Sequence, residues 1–229
     1  GTVQVADGFG VEFGVLEVDG GILRLVKGDV AEFALEVEVC AGADAHQLVM
    51  LYVERQVGAA DYLNGAEFRL HVCRLAVCEL QAVCELPLQI DTASPVAMER
   101  ALRRYNGKPL INSVNGKNES MDAIFPLAKK YGGVIVALTL DEKGIPETAE
   151  GRVEIARKIL NEAKKYGIKK KDIVFDTLAM TVSADKNAAN VTLEALCRIN
   201  RELGCKTSLG VSNVSFGLPA RDMINGTFF

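Results

Sequence analysis

Five apolar runs in the second part of the chain each end in a carboxylate or a carboxamide. They are Leu88-Gln-Ile-Asp91, Pro109-Leu-Ile-Asn112, Val134-Ile-Val-Ala-Leu-Thr-Leu-Asp141, Ile173-Val-Phe-Asp176 and Ser208-Leu-Gly-Val-Ser-Asn213. Most are followed by apolar residues at helical spacing, so the pattern reads as buried parallel strands alternating with helices. The spacing predicts helices over Val96–Tyr105, Glu119–Tyr131, Val153 to the stop at Tyr166-Gly167, and Ala188–Leu203, with another beginning at Arg221. Ser94 is placed to cap the first, with Pro95 at its first position. Thr148, with Gly151 and Arg152, leads into the third. Pro126 predicts a kink in the second helix or a later start. A succession of this kind predicts an α/β fold, the TIM (β/α)8 barrel.

Residues 1–86 follow another pattern. Val3, Val5, Val11, Phe13, Val15, Ile22, Leu23 and Leu25 alternate with polar positions, and Asp19-Gly20-Gly21 is a hairpin turn signal, so this stretch reads as antiparallel β. Gln47–Val57 and Glu67–Val83 each fit a helix. A barrel needs eight strands, and the later part supplies five. The expected organisation is therefore an atypical segment, 1–86, giving the first barrel strands and helices. Residues 87–229 then carry strands 3–7, and the barrel is incomplete at the C-terminus, its eighth strand lying beyond Phe229.

Charge sharpens the same division. The 229 residues carry a net charge of −4. Residues 1–86 hold 5 Lys/Arg against 14 Asp/Glu, whereas 87–229 hold 21 against 16, and all six prolines fall at or after Pro87. This balance gives no reason to expect nucleic acid, and no long apolar tract predicts a membrane span. Six cysteines fit a reducing, cytoplasmic setting better than a disulfide scaffold. Cys73, Cys78 and Cys84 lack zinc-site spacing and read as cysteines on a buried face. Asp44-Ala-His46 lacks the glycine of a cobalt-ligating loop, and no metal ligand set is visible.

In a barrel, Asp91, Asn112, Asp176 and Asn213 would stand at strand carboxyl ends and face one cavity. Each by itself also reads as a helix cap or turn residue. Two carboxylates and two carboxamides with few cations suit a flat, donor-rich heterocycle better than a phosphosugar. A carboxylate accepts two parallel N–H bonds from an amidine-like edge such as that of a pterin, and an asparagine donates and accepts at once.

Leu88-Gln-Ile-Asp-Thr, Pro109-Leu-Ile-Asn-Ser-Val-Asn-Gly, Leu138-Thr-Leu-Asp-Glu-Lys-Gly-Ile-Pro, Thr148-Ala-Glu-Gly-Arg, Ile173-Val-Phe-Asp and Leu209-Gly-Val-Ser-Asn-Val-Ser-Phe-Gly-Leu-Pro together resemble the pterin-binding methyltransferase family. That family includes the folate domain of cobalamin-dependent methionine synthase and the methyltetrahydrofolate:corrinoid/iron–sulfur-protein methyltransferase. The resemblance runs from about Glu85 to Phe229. It implies a dihydropteroate-synthase-like barrel that binds 5-methyltetrahydrofolate and passes its N5 methyl to cobalt(I) of a corrinoid (cobalamin) protein or domain. By position, Asp91, Asn112 and Asp176 match the residues that hold the pterin ring. Asn213 matches the amide that reaches N5, and Arg221 matches an arginine beside the site. A homodimer is also implied.

Residues 1–86 show neither the Gly-Glu-Arg-x-Asn nor the Asp-x-Asn signature of the family's first strands, and Thr177 replaces a usual proline. Two other readings stand beside the methyltransferase. One is a dihydropteroate synthase, which would want cations near the last strands beyond Lys206 and Arg221. The other is a non-catalytic pterin-binding subunit.

Overall fold

The structure, a computed structural model, describes the backbone of six strands within residues 5–55, residues 77–78 and 80–82, and then 86–183 and 187–228. The chain divides into two compact units, Gly1–Asn112 and Ser113–Phe229.

In the first unit β1 (Val5–Ala6) and β2 (Glu12–Phe13) form an antiparallel pair. β3 (Leu16–Asp19), β4 (Ile22–Leu25), β5 (Phe33–Ala41) and β6 (Gln47–Arg55) pair antiparallel in succession. The β3–β4 register sets Asp19 opposite Ile22, as a two-residue hairpin link requires. Gln47–Val57, expected as a helix, is instead strand through Arg55. Val49, Leu51 and Val53 fall two apart, and nine residues pair with β5, from Ala41↔Gln47 to Phe33↔Arg55. Pairing with a neighbour decides a short apolar run that periodicity leaves ambiguous.

β6 then runs parallel to β7 (Leu88–Asp91), and β7 parallel to β8 (Leu110–Asn115). Within the expected helix Glu67–Val83, residues 77–78 and 80–82 are helical. Val77 and Leu80 are buried there, but Cys78 is exposed, which corrects its assignment to a buried face. Cys73, Cys84, Asp44 and His46 lie outside the described residues.

Helix α1 (Pro95–Leu102) starts as its sequence demands. Ser94 Oγ accepts from the Ala97 N–H at 3.3 Å, Pro95 occupies the first position, and Ala97, Met98, Ala101 and Leu102 are buried. The Tyr105 hydroxyl accepts from the Leu88 N–H at 3.1 Å, tying the end of this βα unit back to its strand.

The second unit continues the alternation: the end of β8, α2 (Asn118–Tyr131), β9 (Val134–Leu138), α3 (Ala149–Lys165), β10 (Ile173–Asp176), α4 (Ala188–Arg198), β11 (Lys206–Ser208) and α5 (Arg221–Phe228). β9, β10 and β11 are parallel neighbours in that order, with Asp176 paired to Leu138 on one side and Ser208 on the other. α2 runs through Pro126, which lies on its exposed side, so the helix does not start late. Thr148 caps α3 by accepting from Gly151 N–H at 3.2 Å. α4 passes into a π turn, Ile199–Leu203, before Gly204 ends it.

The core of this unit is built from Ile135, Ala137, Val153, Ala156, Ile159, Ile173, Phe175, Ala195 and Ile199, all fully buried or nearly so. Burying one such large apolar side chain contributes roughly 1.5–3 kcal/mol. Gly116 donates to Leu140 O at 2.7 Å, and a Cβ there would stand 2.8 Å from both that oxygen and Ile155 Cγ2. Only a glycine permits this approach. Among the described residues no helix is long and apolar enough to cross a membrane.

Candidate functional site

Asp91 ends β7, and Asn112 stands opposite it in β8. Neighbouring parallel strands in register put both side chains on the same face, and the Asn112 Nδ2 donates to Asp91 Oδ2 at 2.8 Å. The Thr92 N–H donates to the Asn112 carbonyl at 3.2 Å, carrying the β7–β8 pairing one residue past Asp91. Both side chains are half-buried. With no cation acting on Asp91 from the described surroundings, burial alone pushes its pKa up to about 6. One carboxylate oxygen and the amide carbonyl are left over from this bond, so the pair offers acceptors to a donor-rich edge. Asn112 lies within β8, which runs on to Asn115, and is not its last residue.

The second unit anchors its carboxylate differently. Asp176 is the last residue of β10, and its Oδ1 accepts from the Leu178 N–H at 2.7 Å. A second backbone bond comes from the Gly210 N–H after β11. Burial raises the Asp176 pKa from its ordinary value, while these two N–H groups and the Arg152 charge pull against that rise. Leu178 has φ 63°, the left-handed region that non-glycine residues rarely occupy. A strained residue held in place two positions after a strand-end carboxylate points to a functional loop.

Arg152 explains how the strain is held. It lies in the first turn of α3 with only 2% of its surface exposed. Nε donates to Pro146 O at 3.0 Å. One terminal nitrogen donates to Thr177 O at 2.7 Å, Leu178 O at 3.1 Å and Thr192 Oγ1 at 3.0 Å. Thr177, the departure from the family's proline, is fully buried, and its hydroxyl donates to Thr192 O at 3.3 Å. The sequence carried a signal for Arg152: a cation on the apolar stripe of Ala149, Val153, Ala156 and Ile159. Nothing in it marked Leu178.

Asn213 does not end a strand. β11 stops at Ser208, and Asn213 closes a 3₁₀ turn, Val211–Asn213. The Ser208–Asn213 stretch contains Gly210, whose φ is −77° in this turn, and the chain leaves the sheet there. Asn213 is exposed, and its side-chain amide hydrogen-bonds none of the described residues. That amide folds over Gly210: a Cβ at 210 would meet Asn213 Nδ2 at 3.2 Å. Asp176, Gly210 and Asn213 are thus one cluster.

Arg221 secures the same loop, Nε donating to Ser215 Oγ at 3.2 Å and a terminal nitrogen to Ser212 O at 3.0 Å. The loop after β10 is tied to it by Val182 N–H to Val214 O at 3.0 Å and Thr181 Oγ1 to Phe216 O at 3.2 Å. The structure therefore brings Asp91 to Asn112 in the first unit, and Asp176, Asn213 and Arg221 onto linked loops in the second.

Comparison with known proteins supplies the family of this run of βα units. The chain belongs to the pterin binding enzyme family, whose pattern matches residues 57–227. Among its relatives, a methionine synthase of Mycobacterium tuberculosis is 32% identical over 156 residues, 62% of this chain and 13% of that protein. A methylcorrinoid:tetrahydrofolate methyltransferase of Eubacterium limosum is 32% identical over 170 residues, 72% of this chain and 62% of that one. The chain thus spans less than two thirds of either relative.

Among solved structures, 7,8-dihydropteroate synthase from Vibrio fischeri ES114 aligns with TM-score 0.52 at 15% identity, covering 76% of this chain and 68% of that one. Dihydropteroate synthase from Xanthomonas albilineans aligns with TM-score 0.52 at 19% identity, covering 78% and 66%. At such identities the likeness defines the fold: α/β, dihydropteroate-synthase-like, part of a TIM barrel.

Proposed function

We propose that the chain binds 5-methyltetrahydrofolate and transfers its N5 methyl to cobalt(I) of a corrinoid protein or domain. Asp91, Asn112 and Asp176 take the pterin's amine and ring N–H groups, Asn213 serves N5, and Arg221 holds the loop that carries Asn213. The names of the relatives, a methionine synthase and a methylcorrinoid:tetrahydrofolate methyltransferase, support a folate–corrinoid methyl exchange.

The observation that carries the reading is the unengaged Asn213 amide beside a carboxylate fixed by two backbone N–H groups. In the step itself, the cobalt(I) electron pair forms the Co–C bond as the N5–C bond breaks. The departing pair remains on N5, which takes up a proton. A tertiary amine leaves poorly unless that charge is met as it builds, and an amide free to donate to N5 meets it. A hydrogen bond to a charged group contributes roughly 1.5–3 kcal/mol, so the amide is worth about ten- to a hundredfold in rate.

Adding cobalt(I) cobalamin to the chain preloaded with 5-methyltetrahydrofolate tests this. Loss of the cobalt(I) absorbance with formation of methylcobalamin supports transfer. Saturable pterin binding with no methylcobalamin leaves only the non-catalytic subunit, and dihydropteroate formed from a pterin pyrophosphate and p-aminobenzoate would replace the reading altogether.

A further inference from the structure

We infer that Arg152 is a positioning residue for pterin binding, holding the loop after β10 so that the Leu178 N–H stays on Asp176. This rests on the pterin reading above. Arg152 does not touch the Asp176 carboxylate in any hydrogen bond; it grips the two peptide carbonyls that follow it, Thr177 O and Leu178 O, at 2.7 and 3.1 Å. Fixing those carbonyls fixes the orientation of the intervening peptide planes, and the Leu178 N–H then donates to Asp176 Oδ1 at 2.7 Å. Leu178 keeps a left-handed backbone that its Cβ disfavours. A flexible loop would relax out of it, and the carboxylate would lose a donor and swing.

The location of the cation argues for the same role. A buried guanidinium in the first turn of a helix sits at the positive end of the helix dipole, an unfavourable place for it. Burial pulls its pKa down, and the charge of Asp176 offsets part of that. Pro146 O, Thr177 O, Leu178 O and Thr192 Oγ1 satisfy it, drawing three separate segments onto one side chain. An arginine fork serves this purpose where a lysine cannot, because a point ammonium lacks the planar spread of donors. The field of the guanidinium has a second effect: it favours the ionised form of Asp176, the form that accepts the pterin's N–H groups.

Titrating 5-methyltetrahydrofolate into the full chain across pH, for wild type, Arg152→Lys, Arg152→Met and Arg152→Lys/Leu178→Gly, separates the two effects. Arg152→Lys keeps the charge and loses the fork, so affinity falls roughly tenfold while the pH at which binding fails stays put. Arg152→Met loses both, so affinity falls further and binding fails at a higher pH, because Asp176 is then harder to ionise. Leu178→Gly removes the conformational penalty at 178 and restores part of the affinity to Arg152→Lys. A purely structural role for Arg152 would lower affinity equally at every pH and gain nothing from the glycine. If Arg152→Met does not fold, the lysine variant and its glycine rescue decide alone: no loss, or no rescue, overturns the inference. Wild-type chain that fails to bind the pterin sinks the pterin reading and this inference with it. Wild type that binds, with Arg152→Lys and Arg152→Met indistinguishable from it, sinks the inference only.

Discussion

The two units hold their carboxylates by opposite means. Asp91 is met by a side chain, the Asn112 amide across one strand pair at 2.8 Å, and burial lifts its pKa to about 6 unopposed. Asp176 is met by backbone, the N–H groups of Leu178 and Gly210, with a buried arginine behind the loop. A side-chain partner is set by sequence and strand register alone. A backbone partner is set by loop conformation, which must itself be held. The first arrangement is therefore simple to build and to protonate, whereas the second costs strain and a buried cation and keeps its charge better.

Substitutions at the carboxylates test that contrast most strongly. Asp176→Asn replaces an acceptor of two N–H groups by an amide that satisfies one and turns an NH₂ toward the other. Pterin affinity should fall about a hundredfold, the loss of roughly two charged hydrogen bonds, as read by calorimetric titration. Equal loss in Asp91→Asn, where the Asn112 amide still finds a carbonyl to donate to, would erase the distinction between the units.

The pH dependence comes next and has two signs. Because the folded pKa of Asp91, about 6, lies above its ordinary 3.8, the folded state takes up the proton first. Its contribution to stability therefore rises as pH falls from about 6 to about 4, and is lost as pH climbs back through 6. Pterin affinity, which needs the carboxylate, should fall over the same window. Denaturant unfolding and ligand titration, each run across that range, should diverge, and Asp91→Asn should flatten both. Parallel trends would contradict the assignment.

Smaller effects sharpen the second unit. A methyl at Gly210 meets the Asn213 amide at 3.2 Å, so Gly210→Ala should displace the amide by a few tenths of an ångström. Methyl transfer should slow severalfold, about 1 kcal/mol, with pterin affinity nearly unchanged; equal loss in both would put Asn213 in binding instead. Arg221→Ala removes two hydrogen bonds from an exposed loop anchor, costing about 0.5–1.5 kcal/mol. That cost should appear in kcat more than in KM if Arg221 acts through the loop. A change confined to KM would place it on the substrate.

Much of this was legible in the sequence, and the residues show why. Ile173-Val-Phe-Asp176 and Leu88-Gln-Ile-Asp91 are strands with their assigned ends, because a continuous apolar run stopped by a carboxylate has few other uses. Ser94 and Thr148 cap the helices they precede. The helical reading of Gln47–Val57 fails because Leu-Val-Met-Leu-Tyr-Val fits either period, and only the pairing of Gln47–Arg55 with β5 decides. Asn213 reads as a strand end because Leu209 and Val211 continue the apolar pattern, but the chain turns at Gly210. The hold on Asp176 is hidden for a deeper reason: a cation on an apolar helix stripe marks Arg152, but neither the carbonyls it binds nor the left-handed Leu178 can be read from residue types. Their geometry exists only once three segments meet.

The most direct test mixes cobalt(I) cobalamin rapidly with 5-methyltetrahydrofolate-loaded chain, wild type against Asn213→Ala. The expected result is methylcobalamin formation in wild type and a rate ten- to a hundredfold lower in Asn213→Ala, with pterin affinity within a few-fold of wild type. An Asn213→Ala chain that transfers methyl at the wild-type rate, or a wild type that transfers none, would contradict the account.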